Sequence, residues 1–132
     1  MEANLEKIWR IRKEEERKKL TVIYKNKPLV LLHKDIRYIG SRKHKALIHT
    51  KKGEFSCCEK LENLQKRLES YFLCCHKSYL VNMDEISRIE KYKLILFDGT
   101  QLSVSKNRYE EVRKCFFRYK GKGLFSYEME NH

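Results

Sequence analysis

Extended apolar runs, chelating cysteine spacings and acidic charge are all scarce in this 132-residue sequence. No stretch of about 18 consecutive apolar residues occurs, so no membrane-spanning helix is expected. The first residues are of mixed charge and lack an apolar leader, which places the protein in the cytoplasm. Cysteine is present in an odd number, five, as Cys57-Cys58, Cys74-Cys75 and Cys115, with no C-x-x-C spacing. That pattern is neither a disulfide framework nor a zinc signature. A glycine-rich phosphate cradle, a metal-ligand cluster and a nucleophile elbow are equally missing. The sequence therefore reads as that of a non-enzyme with no cofactor and no bound metal.

What is abundant is positive charge. Lys and Arg total 30 against 18 Asp and Glu, a net charge of +12 at pH 7. A polyanionic partner accounts for such an excess. A soluble protein that merely happens to be basic is the plain alternative, so the placement of the charges has to decide between them. Apolar residues make up 41% and fall in short runs, enough for one compact domain under a charged surface.

Residues 2 to about 19 carry Leu5, Ile8, Trp9 and Arg12 at helical spacing among charged residues, which predicts an amphipathic N-terminal helix or linker. From Leu20 the character changes to β-branched and aromatic runs. Thr21–Tyr24 and Leu29–Leu32 read as strands joined by a turn at Asn26-Lys27, and Asp35–Ile39, Ala46–Thr50 and Glu54–Cys57 as half-buried strands, the last two joined at Lys51-Lys52-Gly53. Leu61, Leu64 and Leu68 recur at helical intervals and mark a short surface helix. Tyr71–Cys75 is extended again, His76–Glu85 reads as irregular, and Ile86–Ile89 follows as a strand. Asp98-Gly99-Thr100 joins Leu94–Phe97 to Gln101–Val104 as a hairpin. Ser105 is placed to cap a last helix with Glu110 and Glu111 near its start and Tyr109, Val112 and Phe116 inside, followed by a flexible tail over 120–132. In a strand, adjacent side chains point to opposite faces, so each cysteine pair should supply one buried and one more exposed thiol. Redox sensing at whichever of Cys74 and Cys75 faces out is a further reading. With so few crossover helices, the architecture is mostly β and antiparallel.

The stretch from Phe72 through Cys74, Cys75, His76, Lys77, Ser78, Tyr79, Leu80 and Val81 to Asn82 resembles the F-x-R-x-H signature of LytTR domains and its S-aromatic-aliphatic-V-N continuation. Ile86-Ser87-Arg88-Ile89 follows at the family's spacing. Asp35-Ile36-Arg37-Tyr38-Ile39 is similar to the family's upstream D-I-x-Y strand, and Leu102-Ser103-Val104-Ser105 with Tyr109 to its closing L-x-V-S element. Cys74 departs from the signature, which commonly has Arg or another polar residue there.

The resemblance implies an elongated antiparallel β-sandwich of roughly ten short strands with two short helices besides the N-terminal one. It implies a DNA-binding domain over 20–119 whose loops enter successive major grooves of double-stranded DNA, binding direct repeats as a homodimer, without membrane contact, for transcriptional regulation. Such domains are usually the output half of two-component response regulators. This chain is then a stand-alone regulator or the output half of a longer one with an upstream receiver domain. Carried over position by position, the first contact loop falls on Arg42, Lys43, His44 and Lys45, with His44 or Lys45 reading a base and Arg42 and Lys43 on phosphates. The second falls on Lys77. The third falls at Ser105 or Lys106, with Asn107 and Arg108 beside it, and Lys106 is favoured because Ser stands where the family frequently has Arg.

The side-chain chemistry agrees with this assignment. Lys and Arg neutralise phosphates, while His, Asn, Lys and Arg donate to base edges in the major groove. His76 is expected to shape the Lys77 loop, and Asn82 to make a local turn bond. A competing reading makes the chain a protein-interaction module, docking an acidic regulatory partner on its basic surface and its Leu5/Ile8/Trp9 face.

Overall fold

The structure is a computed structural model and describes residues 18–122. Apart from Lys18 and Lys19, the expected N-terminal helix with its Leu5/Ile8/Trp9 face lies outside the described residues, as do residues 123–132. The described chain is mostly β, with ten strands and two α-helices. It divides between Glu69 and Ser70 into two compact units.

The first unit begins with β1 (Lys19–Tyr24) and β2 (Lys27–Leu32), paired antiparallel. Leu20 and Val22 are buried while Lys19, Thr21 and Ile23 face out, the period-2 pattern of a half-buried strand. The turn between them is Lys25-Asn26, one residue earlier than the sequence suggests. Both residues have positive φ, 50° and 67°, as a two-residue type I′ hairpin requires. Next come β3 (Ile36–Arg42), β4 (Lys45–Thr50) and β5 (Gly53–Cys57), a meander in which Ile39 pairs with Ile48 and Ile48 with Phe55. Ile39 and Ile48 are fully buried. Thr50 Oγ1 donates to Gly53 O at 2.8 Å and accepts from Lys52 N at 3.0 Å, closing the β4–β5 turn. Helix α1 (Leu61–Arg67) buries Leu64, and Leu68 is buried just past its end, as the leucine spacing predicts. Arg67 ties this helix down, donating to Glu59 Oε2 at 2.6 Å and to Thr21 O at 3.1 Å.

His33 opens a 3₁₀ turn (His33–Asp35) and is buried. Burial pushes its pKa below the ordinary value, outweighing a backbone hydrogen bond at Lys19 and the Glu69 carboxylate, which both pull upward. Folding therefore favours the neutral imidazole. The stability this contributes is present above the unfolded pKa, about 6.5, and is lost as pH falls through the folded value. The urea midpoint is expected to drop between pH 7.5 and pH 5, and to drop less in His33→Gln. Equal pH dependence in both proteins would contradict this account.

The second unit carries β6 (Phe72–His76), β7 (Tyr79–Asn82), β8 (Ile86–Glu90), β9 (Lys93–Leu96), β10 (Gln101–Ser103) and α2 (Tyr109–Lys122). Strand β7 corrects the sequence expectation of an irregular stretch over His76–Glu85. It pairs with β6, Leu80 opposite Cys74 and Val81 opposite Leu73. Leu80, Val81 and Asn82 are all buried, so the strand lacks the alternation by which half-buried strands are recognised. Asn82 Oδ1 accepts from Asp84 N at 2.9 Å, the expected local bond, which caps a second 3₁₀ turn (Met83–Glu85). Tyr119 Oη donates to Asp84 Oδ1 at 2.6 Å and so fastens α2 to that turn. Strands β8, β9 and β10 form an antiparallel meander whose last turn is closed by Thr100 N donating to Asp98 Oδ1 at 3.0 Å, with Gly99 at φ 92°.

Helix α2 starts at Tyr109 and not directly after Ser105, because Ser105–Arg108 form a turn of their own. The helix continues through Gly121 to Lys122, past the position where the tail was expected to begin. Its inner face includes Val112 and Phe116, both buried. The cysteine pairs divide as expected: Cys57 and Cys75 are buried, Cys58 is exposed and Cys74 half-buried. Burial pushes the Cys75 thiol up to about 12, so it stays protonated across the working range of a protein.

Candidate nucleic-acid interface

The basic cluster at Arg42–Lys45 forms the tip of the β3–β4 hairpin, and all four residues are exposed. Arg42 stands directly opposite Lys45 as the closing pair. Like charges facing each other across a hairpin are destabilising, by roughly 0.2 to 1 kcal/mol. Lys43 and His44 form the two-residue turn at φ 50° and 66°, a conformation suited to Asn or Gly. An L side chain there costs roughly 1 kcal/mol or more. Stability alone would select neither the charges nor the side chains found at this tip. An anion lying against the tip offsets the repulsion, which is the physical case for a polyanion here.

Lys77 and the Ser105–Arg108 turn belong to the second unit, where direct contacts bring their supports together. Lys77 is exposed at the β6–β7 turn. His76 Nδ1 accepts a hydrogen bond from Ser78 N at 3.1 Å, so His76 shapes this turn as expected and holds Lys77 outward. A register irregularity between Cys74 and His76 re-aims the strand just before the turn. On the other side, Ser105 N donates to Cys75 O at 3.2 Å, and Arg108 Nη1 lies 2.9 Å from Cys74 Sγ. The chain after β10 is therefore pinned to the end of β6, beside Lys77. Cys74, the departure from the family signature, is the anchor for Arg108. Ser105 and Arg108 are half-buried in these contacts, whereas Lys106 and Asn107 are exposed.

The turn at Ser105–Arg108 also changes one local expectation. Arg108 N donates to Ser105 O at 3.0 Å and Tyr109 N to Lys106 O at 3.4 Å. The first helical residues thus find backbone partners in the turn, and the side chains of Lys106 and Asn107 are what the loop offers outward.

One feature of this region escapes sequence reading. Lys106 Nζ lies 5.7 Å from the centroid of the Tyr92 ring, and Lys91 Nζ lies 5.6 Å from the same centroid. Tyr109 meets that ring edge-on at 5.2 Å and 68°. Lys-Tyr-Lys between two apolar strands was the available signal, but nothing in the sequence links residue 92 to residue 106. Among the described residues no three His, Cys, Asp or Glu side chains are grouped to hold a metal ion. No described helix is long and apolar enough to cross a membrane.

Comparison with known proteins bears on the same region. The family model for the LytTr DNA-binding domain matches residues 26–116, which includes the turns at Arg42–Lys45, Lys77 and Ser105–Arg108. The sensory transduction protein LytT of Bacillus subtilis (strain 168) is 30% identical over 87 residues, an alignment covering 61% of this chain and 36% of that protein. The chain accordingly spans little more than a third of that relative's length. Among solved structures, a chain described as the LytTr DNA-binding domain of a methyl-accepting/DNA response regulator from Bacillus cereus superposes with a TM-score of 0.65 at 18% identity. That match covers 74% of this chain and 94% of the other. At this identity the likeness concerns the fold.

Proposed function

Since this chain belongs to the LytTR family of DNA-binding domains, we propose that it recognises a specific double-stranded DNA sequence at promoters, with the Arg42–Lys45, Lys77 and Lys106 turns entering the major groove. His44 or Lys45, Lys77 and Lys106 address base edges, and Arg42 and Lys43 take phosphates. Asn107 lies beside Lys106 as a further donor, while Ser105 and Arg108 contribute mainly by holding the loop against Cys75 and Cys74. Binding as a homodimer on direct repeats, in the cytoplasm and under the control of an upstream receiver domain, completes the reading.

The observation that carries it is the hairpin tip. Arg42 and Lys45 face each other, and Lys43 and His44 occupy left-handed φ, at a net cost to folding that an anionic ligand offsets.

Selection from a random pool of duplexes tests the proposal, and an enriched motif is expected. Against it, His44→Ala or Lys106→Ala should lower discrimination by about 1 to 3 kcal/mol at one base position. Arg42→Ala should weaken all duplexes alike. A pool that returns no preferred sequence would overturn the reading.

A further inference from the structure

The Lys91-Tyr92 turn between β8 and β9 combines a strained backbone with concentrated positive charge. Tyr92 has φ 66°, in the left-handed region that Asn or Gly occupies easily and an aromatic L residue does not. The residue is 38% exposed, so part of it faces solvent beside the two lysines. Two ammonium groups, from Lys91 and Lys106, lie within cation–π range of this one ring. They repel each other, and the carboxylate nearest in sequence is already engaged: Glu90 binds Arg88 at 2.9 Å and Lys93 at 3.6 Å. The turn is nevertheless firmly held. Val104 N donates to Tyr92 O at 2.9 Å, and Tyr109 braces the ring from the side. Both braces flank the segment that carries Lys106.

We infer that the Lys91-Tyr92 turn is a further contact of the DNA-binding surface, in which the Tyr92 ring positions Lys106 and Lys91 takes a backbone phosphate of the same duplex. The inference rests on the reading that Lys106 addresses a base. A phosphodiester beside Lys91 offsets the positive charge gathered at this turn. The ring limits where Lys106 Nζ can travel, reducing the rotamer freedom a flexible lysine gives up when it binds. Tyr92 is thus a positioning residue, acting through Lys106.

The test uses the full chain and the duplex motif returned by selection, with the variants Lys91→Ala, Tyr92→Asn and Tyr92→Phe. Asn accepts left-handed φ, so Tyr92→Asn removes the ring while keeping the turn conformation. It should lose about tenfold in discrimination at the base position whose preference Lys106→Ala erases. Tyr92→Phe keeps the ring and should keep that discrimination. Lys91→Ala should weaken every duplex alike and make the log–log salt slope shallower by about 0.9. Full discrimination in Tyr92→Asn, its loss in Tyr92→Phe, or an unchanged salt slope in Lys91→Ala overturns the inference while the wild-type protein still selects its motif. Failure of the wild type to select any motif removes the underlying reading and the inference with it.

Discussion

Raising the salt concentration from about 50 to 200 mM should weaken duplex binding on the order of 40-fold. Arg42, Lys43 and Lys91, the cations assigned to phosphates, are all exposed at turns. If each displaces one condensed counterion, the log–log slope is close to −2.7, at roughly −0.9 per contact. Net charge by itself does not produce this. Exposed charges more than about 8 Å from a phosphate are largely screened at physiological ionic strength, so most of the +12 excess is silent and the slope counts contacts. Fluorescence anisotropy across a salt series measures it directly. A slope shallower than about −1 would mean that most of these cations never reach a phosphate. The double variant Arg42→Ala with Lys43→Ala should flatten the slope by about 1.8 while leaving sequence preference largely intact, because phosphate contacts carry no base information.

Truncating Leu80 to Ala is expected to lower folding stability by about 2 to 5 kcal/mol. Leu80 is fully buried in β7 and pairs across from Cys74, the residue that anchors Arg108. Removing its side chain leaves a cavity in a region whose packed neighbours relax only partly. For a domain of ordinary stability, around 5 to 15 kcal/mol, this is a large fraction of the whole. Urea denaturation followed by circular dichroism reads the loss as a lower midpoint with the slope retained. A midpoint like that of the wild type would show that the Leu80 side chain does not hold the fold together as its burial implies. The substitution removes no charge, so any binding that survives at low temperature should keep the wild-type salt slope. That separates loss of the scaffold from loss of the contacts it carries.

Local chemistry explains where sequence reading succeeds and where it slips. Leu20 and Val22 alternate with polar neighbours and are a strand; Leu61, Leu64 and Leu68 recur at helical spacing and mark a helix with its buried end. Strand β7 is the instructive failure, since it is four residues long, buried on consecutive positions and flanked by turn-forming residues on both sides. Periodicity has nothing to act on there. The turn at Lys25-Asn26 and the start of α2 shift by a few residues for a related reason, because boundaries are set by hydrogen-bond register and not by composition.

For the candidate interface, the basic residues themselves were legible. Lysine, arginine and histidine concentrated at Arg42–Lys45 stand out against the alternating strands on either side, and the motif around His76 and Asn82 identifies the family without any coordinates. Residue order alone therefore determined the mostly β class, the basic character, the family and the principal turns, because each is written in neighbouring residues or in short motifs.

Tertiary structure decided the rest: that Arg108 rests on Cys74, that Ser105 is pinned to Cys75, and that Lys106 and Lys91 share the Tyr92 ring. Each of these joins residues from different strands or turns. Such contacts depend on how registers and turns return the chain upon itself, and a one-residue change of register reverses the face of every side chain in a strand. No pattern confined to one segment carries that information.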